Sequence, residues 1–271
     1  MRDTERVRKN VSETYARAVT SPSGGHCRAN ADPGSAAARI GYGREDLESL
    51  PSDAVEHAFG CGNPTAFSDV GEGDVVLDLG SGAGIDLLVA AKKVGPTGRV
   101  IGVDMTDEMI EKARENVAAA GLSDVVEVRK GTIEDLPVET SSVDWVISNC
   151  VINLSPEKEK VFAEIARVLK SGGRMLVSDI VAEGLPDRVR ADRALHDSCV
   201  GGAISEAEYL AGLRDAGLVD VDVRARRQYG VEEIRALIKS VAGDWEVSPL
   251  AADSPLPKVW SINVYARRPK P

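Results

Sequence analysis

Two kinds of segment alternate along most of the chain. Short apolar runs that end in glycine or an acid predict buried strands, and longer segments that are apolar at every third or fourth position predict helices. The predicted strands cover residues 75–79, 99–104, 125–130, 143–148, 174–180, 219–226 and 259–266. The predicted helices cover residues 3–20, 85–93, 106–120, 156–169, 205–216 and 231–241.

This order of elements predicts an α/β fold, because strands that alternate with helices form a parallel sheet wrapped by helices. We expect a mostly parallel seven-stranded sheet with helices on both faces, in which strand 259–266 runs antiparallel. Ser171-Gly172-Gly173 is expected to end a helix before strand 174–180. Thr106 and Ser205 are expected to cap the helices that follow them.

The chain divides into an N-terminal segment, a nucleotide-binding core and a small C-terminal extension. The first contains loops with Cys27 and Cys61, and the composition of residues 21–38 predicts a mobile loop. The last carries Cys199 and completes the sheet. The predicted boundaries are residues 1–70, 71–181 and 182–271.

Composition narrows the class of protein. Hydrophobic residues make up 43% and aromatic residues 4%, as suits parallel strands covered by helices. The net charge of −10 argues against a nucleic-acid partner. The sequence contains no apolar run of about 20 residues and no signal-peptide pattern, so we expect a cytoplasmic protein without a membrane segment. The four cysteines are therefore expected to be reduced thiols rather than structural disulfides.

A glycine-rich turn follows the first predicted strand, in Asp78-Leu79-Gly80-Ser81-Gly82-Ala83-Gly84. The next strand ends at Asp104, 20 residues after Gly84, where an acid can accept both ribose hydroxyls. Turn, strand and acid together predict a bound adenosine-type cofactor. The glycine spacing differs from that of a dinucleotide site, and Asp78 would repel a pyrophosphate but attract an ammonium group.

This pattern resembles the S-adenosylmethionine motif of class I methyltransferases, which have a Rossmann-like fold. The resemblance implies that the glycine loop holds the methionine part, Asp104 the ribose, and Met105 one face of adenine. Ile133 and Glu134 would flank the adenine. The cofactor-binding residues implied are Asp78, Gly80, Ser81, Gly82, Gly84, Asp104, Met105, Ile133, Glu134 and Asn149.

The cysteines form no Cys-x-x-Cys pair, which makes a zinc site an unfavourable interpretation. Cys150 follows the carboxyl end of the fourth predicted strand, where ligands of such sheets bind. Cys61 and Cys199 lie in glycine-containing loops that could close over that end. Three converging thiolates would form a trigonal site for a soft ion such as trivalent arsenic. The alternative is that they are separate, inert, buried thiols.

Residues 40–210 resemble the arsenite methyltransferase family. The matching stretches are residues 41–47, 60–64 and 148–154, and Cys199-Val200-Gly201-Gly202-Ala203. The resemblance implies that Cys61, Cys150 and Cys199 bind arsenic and that Cys27 is a redox cysteine. It also implies As(III) as the substrate, entering as a thiol conjugate, a thiol reductant (thioredoxin or glutathione), a detoxification role and a monomer.

Two other functions remain open at this point. A class I methyltransferase acting on the carbon or oxygen of a small metabolite such as a quinone would need a base, and His57 and His196 are the candidates. A non-enzymatic arsenic sensor or sequestering protein would need the thiols but not the glycine loop.

Overall fold

The computed structural model describes residues 2–20, 41–58, 60, 62–63, 69–185, 199–230, 232–233 and 257–270. Within these ranges the strands form one sheet in the order β3-β2-β1-β4-β5-β7-β6. The strands are β1 (Val75–Leu79), β2 (Arg99–Asp104), β3 (Val126–Lys130), β4 (Val143–Asn149), β5 (Leu169–Glu183), β6 (Val219–Gln228) and β7 (Lys258–Arg267).

The first five strands are parallel, and β7 runs antiparallel between β5 and β6. The predicted α/β sheet and its antiparallel last strand are therefore confirmed. The strand order reverses between β1 and β4, so the crevice at their carboxyl ends is the expected ligand site of such a sheet.

Helices cover both faces of the sheet, as predicted. Alternate residues of β1 enter different apolar layers: Leu77 packs in a layer with Phe162, and Val76 in a layer with Leu87. The described helices are α1 (Arg2–Thr20), α2 (Arg44–Glu48), α3 (Ser52–Glu56), α4 (Ile85–Val94), α5 (Asp107–Ala119), α6 (Lys158–Val168) and α7 (Glu206–Asp215). None of these helices combines the length and apolar character needed to cross a membrane.

Several local predictions need adjustment. Ser171-Gly172-Gly173 does not separate a helix from a strand, because β5 already begins at Leu169. This segment pairs with the end of the chain: Gly172 N donates to Arg268 O at 3.1 Å and Arg268 N to Gly173 O at 2.8 Å. The predicted helix 231–241 lies outside the described residues except for positions 232–233.

The two predicted helix caps have different outcomes. Ser205 forms the complete capping box with Glu208, as expected. Thr106 stands at the N-cap of α5, but its side chain does not cap the helix. Its hydroxyl donates instead to Ser12 Oγ on α1 at 3.2 Å, so the residue joins two helices rather than satisfying one helix end.

Candidate functional site

A pocket opens at the carboxyl ends of β1, β2, β3 and β4. Four groups of residues line it: the glycine loop and first turn of α4, the residues that follow β2, β3 and β4, one face of α1, and the segment with His57 and Gly60. The predicted cofactor residues in its lining are Gly80, Ser81, Gly82, Asp104, Met105, Ile133, Glu134 and Asn149. The sheet topology thus brings together residues that are separated by up to 69 positions in the sequence.

The glycine loop takes a backbone conformation that favours glycine. Gly80, Gly82 and Gly84 have φ angles of 64°, 51° and 95°. A Cβ on Gly80 would collide with Val151, so the loop can pack against the segment after β4 only without a side chain there. At Gly82, by contrast, no described atom lies within 4 Å of the place a Cβ would take, which leaves this part of the loop open.

Asp104 ties the glycine loop to the end of β2. Its Oδ2 accepts from Gly82 N at 3.0 Å and its Oδ1 from Thr106 N at 2.9 Å. A carboxylate has about four acceptor positions, so further donors such as ribose hydroxyls can still bind. Burial raises the pKa of Asp104, and the backbone hydrogen bonds from Thr106 and Gly82 oppose that rise.

At the predicted adenine end of the pocket, the Glu134 side chain is held in place by two hydrogen bonds. The side chain of Glu134 is only 5% exposed. Its Oε1 accepts from Ser155 Oγ at 2.5 Å and from Arg8 Nε on α1 at 3.2 Å. These hydrogen bonds fix the Glu134 side chain in the pocket wall, so it is not a solvated surface acid.

The acid that precedes the glycine loop is not the one that lines the pocket. Asp78 is buried and is absent from the described lining, whereas Asp86, in the first turn of α4, lines the pocket. Burial raises the pKa of Asp78 well above its ordinary value, and the charges of Asp86 and Asp104 raise it further. The sequence analysis does not assign Asp86 to the site, although it is the one acid in helix α4.

Two buried polar atoms of the pocket, Ser81 Oγ and Asp86 Oδ1, have no hydrogen-bond partner among the described residues. The other oxygen of Asp86 accepts from Asn149 Nδ2 at 3.2 Å. A buried polar group without a partner is costly unless a ligand satisfies it. The pocket therefore fits a ligand that brings a donor, such as the ammonium group of S-adenosylmethionine, to this end.

Asn149, at the end of β4, connects the pocket with the loop around Cys61. Its Nδ2 donates to Gly62 O at 2.6 Å and to Tyr42 Oη at 3.2 Å, while its Oδ1 accepts from Gly62 N at 3.2 Å. A Cβ on Gly60 would collide with the Asn149 amide, so this approach requires glycine. Cys61 itself lies outside the described residues, as does Cys27.

Cys150 and Cys199 meet at the pocket wall. Cys150 lines the pocket, and Cys199 Sγ donates to Cys150 O at 2.9 Å. Both are buried, at 5% and 6% exposure, in one apolar cluster. Their φ angles of 61° and 64° are uncommon outside glycine and occur often at functional sites.

All four cysteines are expected to be reduced, and the oxidation state of Cys150 differs from that expectation. Cys199 carries a reduced thiol, whereas Cys150 is disulfide-bonded. Thiols close enough to share one soft ion are also close enough to oxidise to a disulfide. Among the described residues alone, no group of three metal-ligating side chains is present, so the trigonal arsenic site stays a prediction.

Helix α1 contributes residues that the sequence did not assign to the site. Arg8, Val11 and Tyr15 line the pocket. The apolar spacing along α1 predicted the helix, but nothing in the sequence indicated its partner. Of the two candidate bases, His57 lines the pocket with Nδ1 at 2.9 Å from Asp53 O, and His196 lies outside the described residues.

Another buried acid, Asp179 on β5, supports the segment that follows Cys150. Its Oδ1 accepts from Asn153 Nδ2 at 2.8 Å and its Oδ2 from Tyr209 Oη at 3.3 Å. Burial raises the pKa of Asp179 to about 7. The backbone hydrogen bond from Ile180 and the charge of Lys158 lower this pKa and only partly offset the effect of burial. The folded protein thus holds this proton more tightly than the unfolded chain.

This shift predicts a pH dependence of stability. Because the folded-state pKa is raised, the stabilisation is complete below the ordinary pKa near 3.8 and is lost as the pH rises towards about 7. Relative to Asp179→Asn, we expect the wild type to lose about 1.4 kcal/mol of unfolding free energy per pH unit in that window. Denaturant unfolding at several pH values measures it, and equal pH slopes for the two proteins would refute it.

A surface variant gives the control for that measurement. Asp107 is paired with Lys130 at 2.7 Å and its side chain is 73% exposed. We expect Asp107→Asn to change the unfolding free energy by less than about 1 kcal/mol.

Comparison with known proteins identifies the class of this fold and site. A family model described as a methyltransferase domain matches residues 71–217. This is more than half of the chain, and it contains the glycine loop, Asp104, Cys150 and Cys199. The chain is therefore built around a methyltransferase domain.

The relatives narrow this class. An arsenic(III) S-adenosylmethionine methyltransferase from Chlamydomonas reinhardtii matches with a TM-score of 0.69 and 34% identity, over 84% of this chain and 73% of that one. Arsenite methyltransferases from Halobacterium salinarum and Mus musculus are 45% and 34% identical over 82% and 75% of this chain. The chain belongs to the arsenite S-adenosylmethionine methyltransferase family. It spans 60% and 55% of the length of those two curated relatives.

Proposed function

We propose that this protein transfers a methyl group from S-adenosylmethionine to trivalent arsenic held by cysteine thiolates, as a step in arsenic detoxification. The observation that carries the proposal is the contact between Cys199 Sγ and Cys150 O at 2.9 Å, on the wall of a pocket whose other end is the glycine loop. Donor and acceptor sites thereby share one cavity.

The pocket residues would hold S-adenosylmethionine along its length. Asp104 would accept the ribose hydroxyls, Glu134 would lie at the adenine, and the unpartnered oxygens of Ser81 and Asp86 would face the methionine part. The bound cofactor supplies an electrophilic methyl group on its sulfonium. The chain's own contribution is to bind and orient it.

The acceptor would be arsenite delivered as a thiol conjugate. Its arsenic exchanges onto the thiolates of Cys150 and Cys199, with Cys61 as the third ligand, once the disulfide at Cys150 has been reduced. Positioning of two reactants can supply roughly 7–11 kcal/mol of a barrier. No general base is needed, because the arsenic lone pair that forms the new bond carries no proton.

Methyl transfer turns the arsenic lone pair into an As–C bond and formally oxidises As(III) to As(V). Two electrons from a pair of protein thiols, with Cys27 as a candidate, return it to the trivalent state and leave a disulfide. Thioredoxin or glutathione would reduce that disulfide. Both reductants operate in the cytoplasm, where we place the enzyme as a monomer.

The test is methylation by the purified full chain with S-adenosylmethionine, arsenite and either reductant, analysed by chromatography with arsenic detection. Methylated arsenicals that require both substrates are expected. Methylation of a quinone but not of arsenite would favour the alternative methyltransferase, for which His57 on the pocket wall is the candidate base. Arsenite binding without S-adenosylhomocysteine binding would indicate a sensor.

A further inference from the structure

One face of α1 lines the pocket with Arg8, Val11 and Tyr15. Arg8, Val11, Ser12 and Tyr15 are separated by three, four and seven positions from the first of them, so they share a helix face. Arg8 and Tyr15 stand two turns, or about 10 Å, apart along the helix axis. The helix can therefore contact groups at both ends of the site at once.

Two residues of this face, Arg8 and Ser12, contact the cofactor end. Arg8 Nε donates to Glu134 Oε1 at 3.2 Å, and Arg8 also pairs with Glu157. One helical turn further on, Ser12 Oγ accepts a hydrogen bond from Thr106 Oγ1 at 3.2 Å. Thr106 lies two positions after Asp104. Both contacts join α1 to segments that carry predicted cofactor ligands.

Two other residues of the same face, Val11 and Tyr15, contact the thiol end. Val11 is 2% exposed and lies in the apolar cluster that contains Cys150 and Cys199. The Tyr15 hydroxyl lies 4.0 Å from Cys199 Sγ. Tyr15 also lines the pocket, so it contacts both the cavity and the second thiol.

We propose that α1 couples the two substrate sites, so that a ligand at either end fixes the helix in the place that the other ligand needs. The inference rests on the proposed function. Its physical basis is that the conformational entropy of holding α1 is lost once and is shared by both binding events. Arg8 and Tyr15 are then positioning residues, and the coupling is reciprocal by thermodynamic linkage.

The experiment is calorimetric titration of the full chain, reduced with a thiol-free phosphine, using S-adenosylhomocysteine and arsenite. The first probe has no methyl group to transfer, so turnover does not interfere. In the wild type we expect saturating arsenite to lower the Kd of S-adenosylhomocysteine about tenfold, and the reverse titration to give the same factor. In Arg8→Gln we expect this factor to fall to near one, although Arg8 touches neither thiol.

The matched control is Arg6→Gln, on the same helix. Arg6 is 58% exposed and pairs with Asp3 three positions away, so this variant is expected to keep the tenfold factor. Tyr15→Leu tests the coupling from the thiol end. If Arg8→Gln does not fold, the coupling factor of Tyr15→Leu takes its place as the test. Its factor is also expected to fall to near one.

The outcomes separate this inference from the function on which it rests. A wild-type factor of one, with both ligands binding, overturns the coupling and leaves the proposed function intact. A wild-type factor that persists in Arg8→Gln, or in Tyr15→Leu, also overturns the coupling. A reduced wild type that binds S-adenosylhomocysteine but no arsenite overturns both proposals.

Discussion

Replacing Cys150 or Cys199 with serine is expected to lower kcat/KM for arsenite methylation by at least about 100-fold, because a displaced reactant alone can cost that much. A hydroxyl is a hard ligand and does not replace a thiolate on As(III). S-adenosylhomocysteine affinity is expected to stay close to the wild-type value in Cys199→Ser, because Cys199, unlike Cys150, is absent from the described pocket lining. Steady-state kinetics and calorimetry on the same samples measure both quantities.

Serine is a suitable replacement at position 199 for a structural reason. The thiol donates to Cys150 O, and a serine hydroxyl can donate to the same carbonyl. The buried contact between the two segments is then largely preserved, so a loss of activity reports the sulfur itself. Cys199→Ala, which loses the donor as well, is expected to have a lower melting temperature than Cys199→Ser. Wild-type arsenite turnover by Cys199→Ser would contradict the proposed thiolate site.

The sequence predicts the sheet well because its strands are local patterns of apolar residues between turns. The carboxyl ends of β1, β2 and β4 follow from that pattern, and so does the meeting of the glycine loop with Asp104. The beginning of β5 could not be predicted in this way. The sequence of residues 171–173 is typical of the end of a helix. These residues extend the strand because they pair with Arg268, almost a hundred positions later in the chain.

The parts of the site that the sequence does not predict depend on contacts between segments that are distant in the chain. The spacing of apolar residues predicts helix α1, but not that Arg8 reaches Glu134 or that Tyr15 reaches Cys199. The ammonium group was assigned to Asp78 because of its place beside the glycine loop. Pleating directs side chains of a strand to opposite faces, and which face meets a ligand is decided by tertiary packing.

Asp86 is the better candidate for the ammonium partner, and Asp86→Asn is expected to weaken S-adenosylhomocysteine binding about 10- to 150-fold. A hydrogen bond to a charged group contributes about 1.5–3 kcal/mol, which corresponds to this range. Asp86 Oδ1 is buried, has no hydrogen-bond partner in the part of the chain that the structure describes, and belongs to a residue that lines the pocket, whereas Asp78 does not line it. Asp78→Asn is the comparison variant, and it is expected to have the smaller effect on the same Kd.

The ligand 5′-methylthioadenosine separates this role from a general disturbance of the pocket. It shares the adenosine part but lacks the amino-acid group, so Asp86→Asn should bind it as the wild type does. If the variant lost affinity for both ligands equally, Asp86 would be a structural residue and the assignment would fail. If neither affinity changed, the ammonium group would bind elsewhere.

The pH dependence of binding provides an independent test of the same carboxylate. Burial raises the pKa of Asp86 to about 6, and the hydrogen bonds from Tyr42 and Asn149 oppose that rise. A cationic ligand binds the ionised form, so each pH unit below about 6 should weaken S-adenosylhomocysteine binding up to tenfold through this group. Asp86→Asn should lose this dependence, and wild-type binding of 5′-methylthioadenosine should not show it. A pH profile of the wild type that matches that of Asp86→Asn would exclude this carboxylate as the ammonium partner.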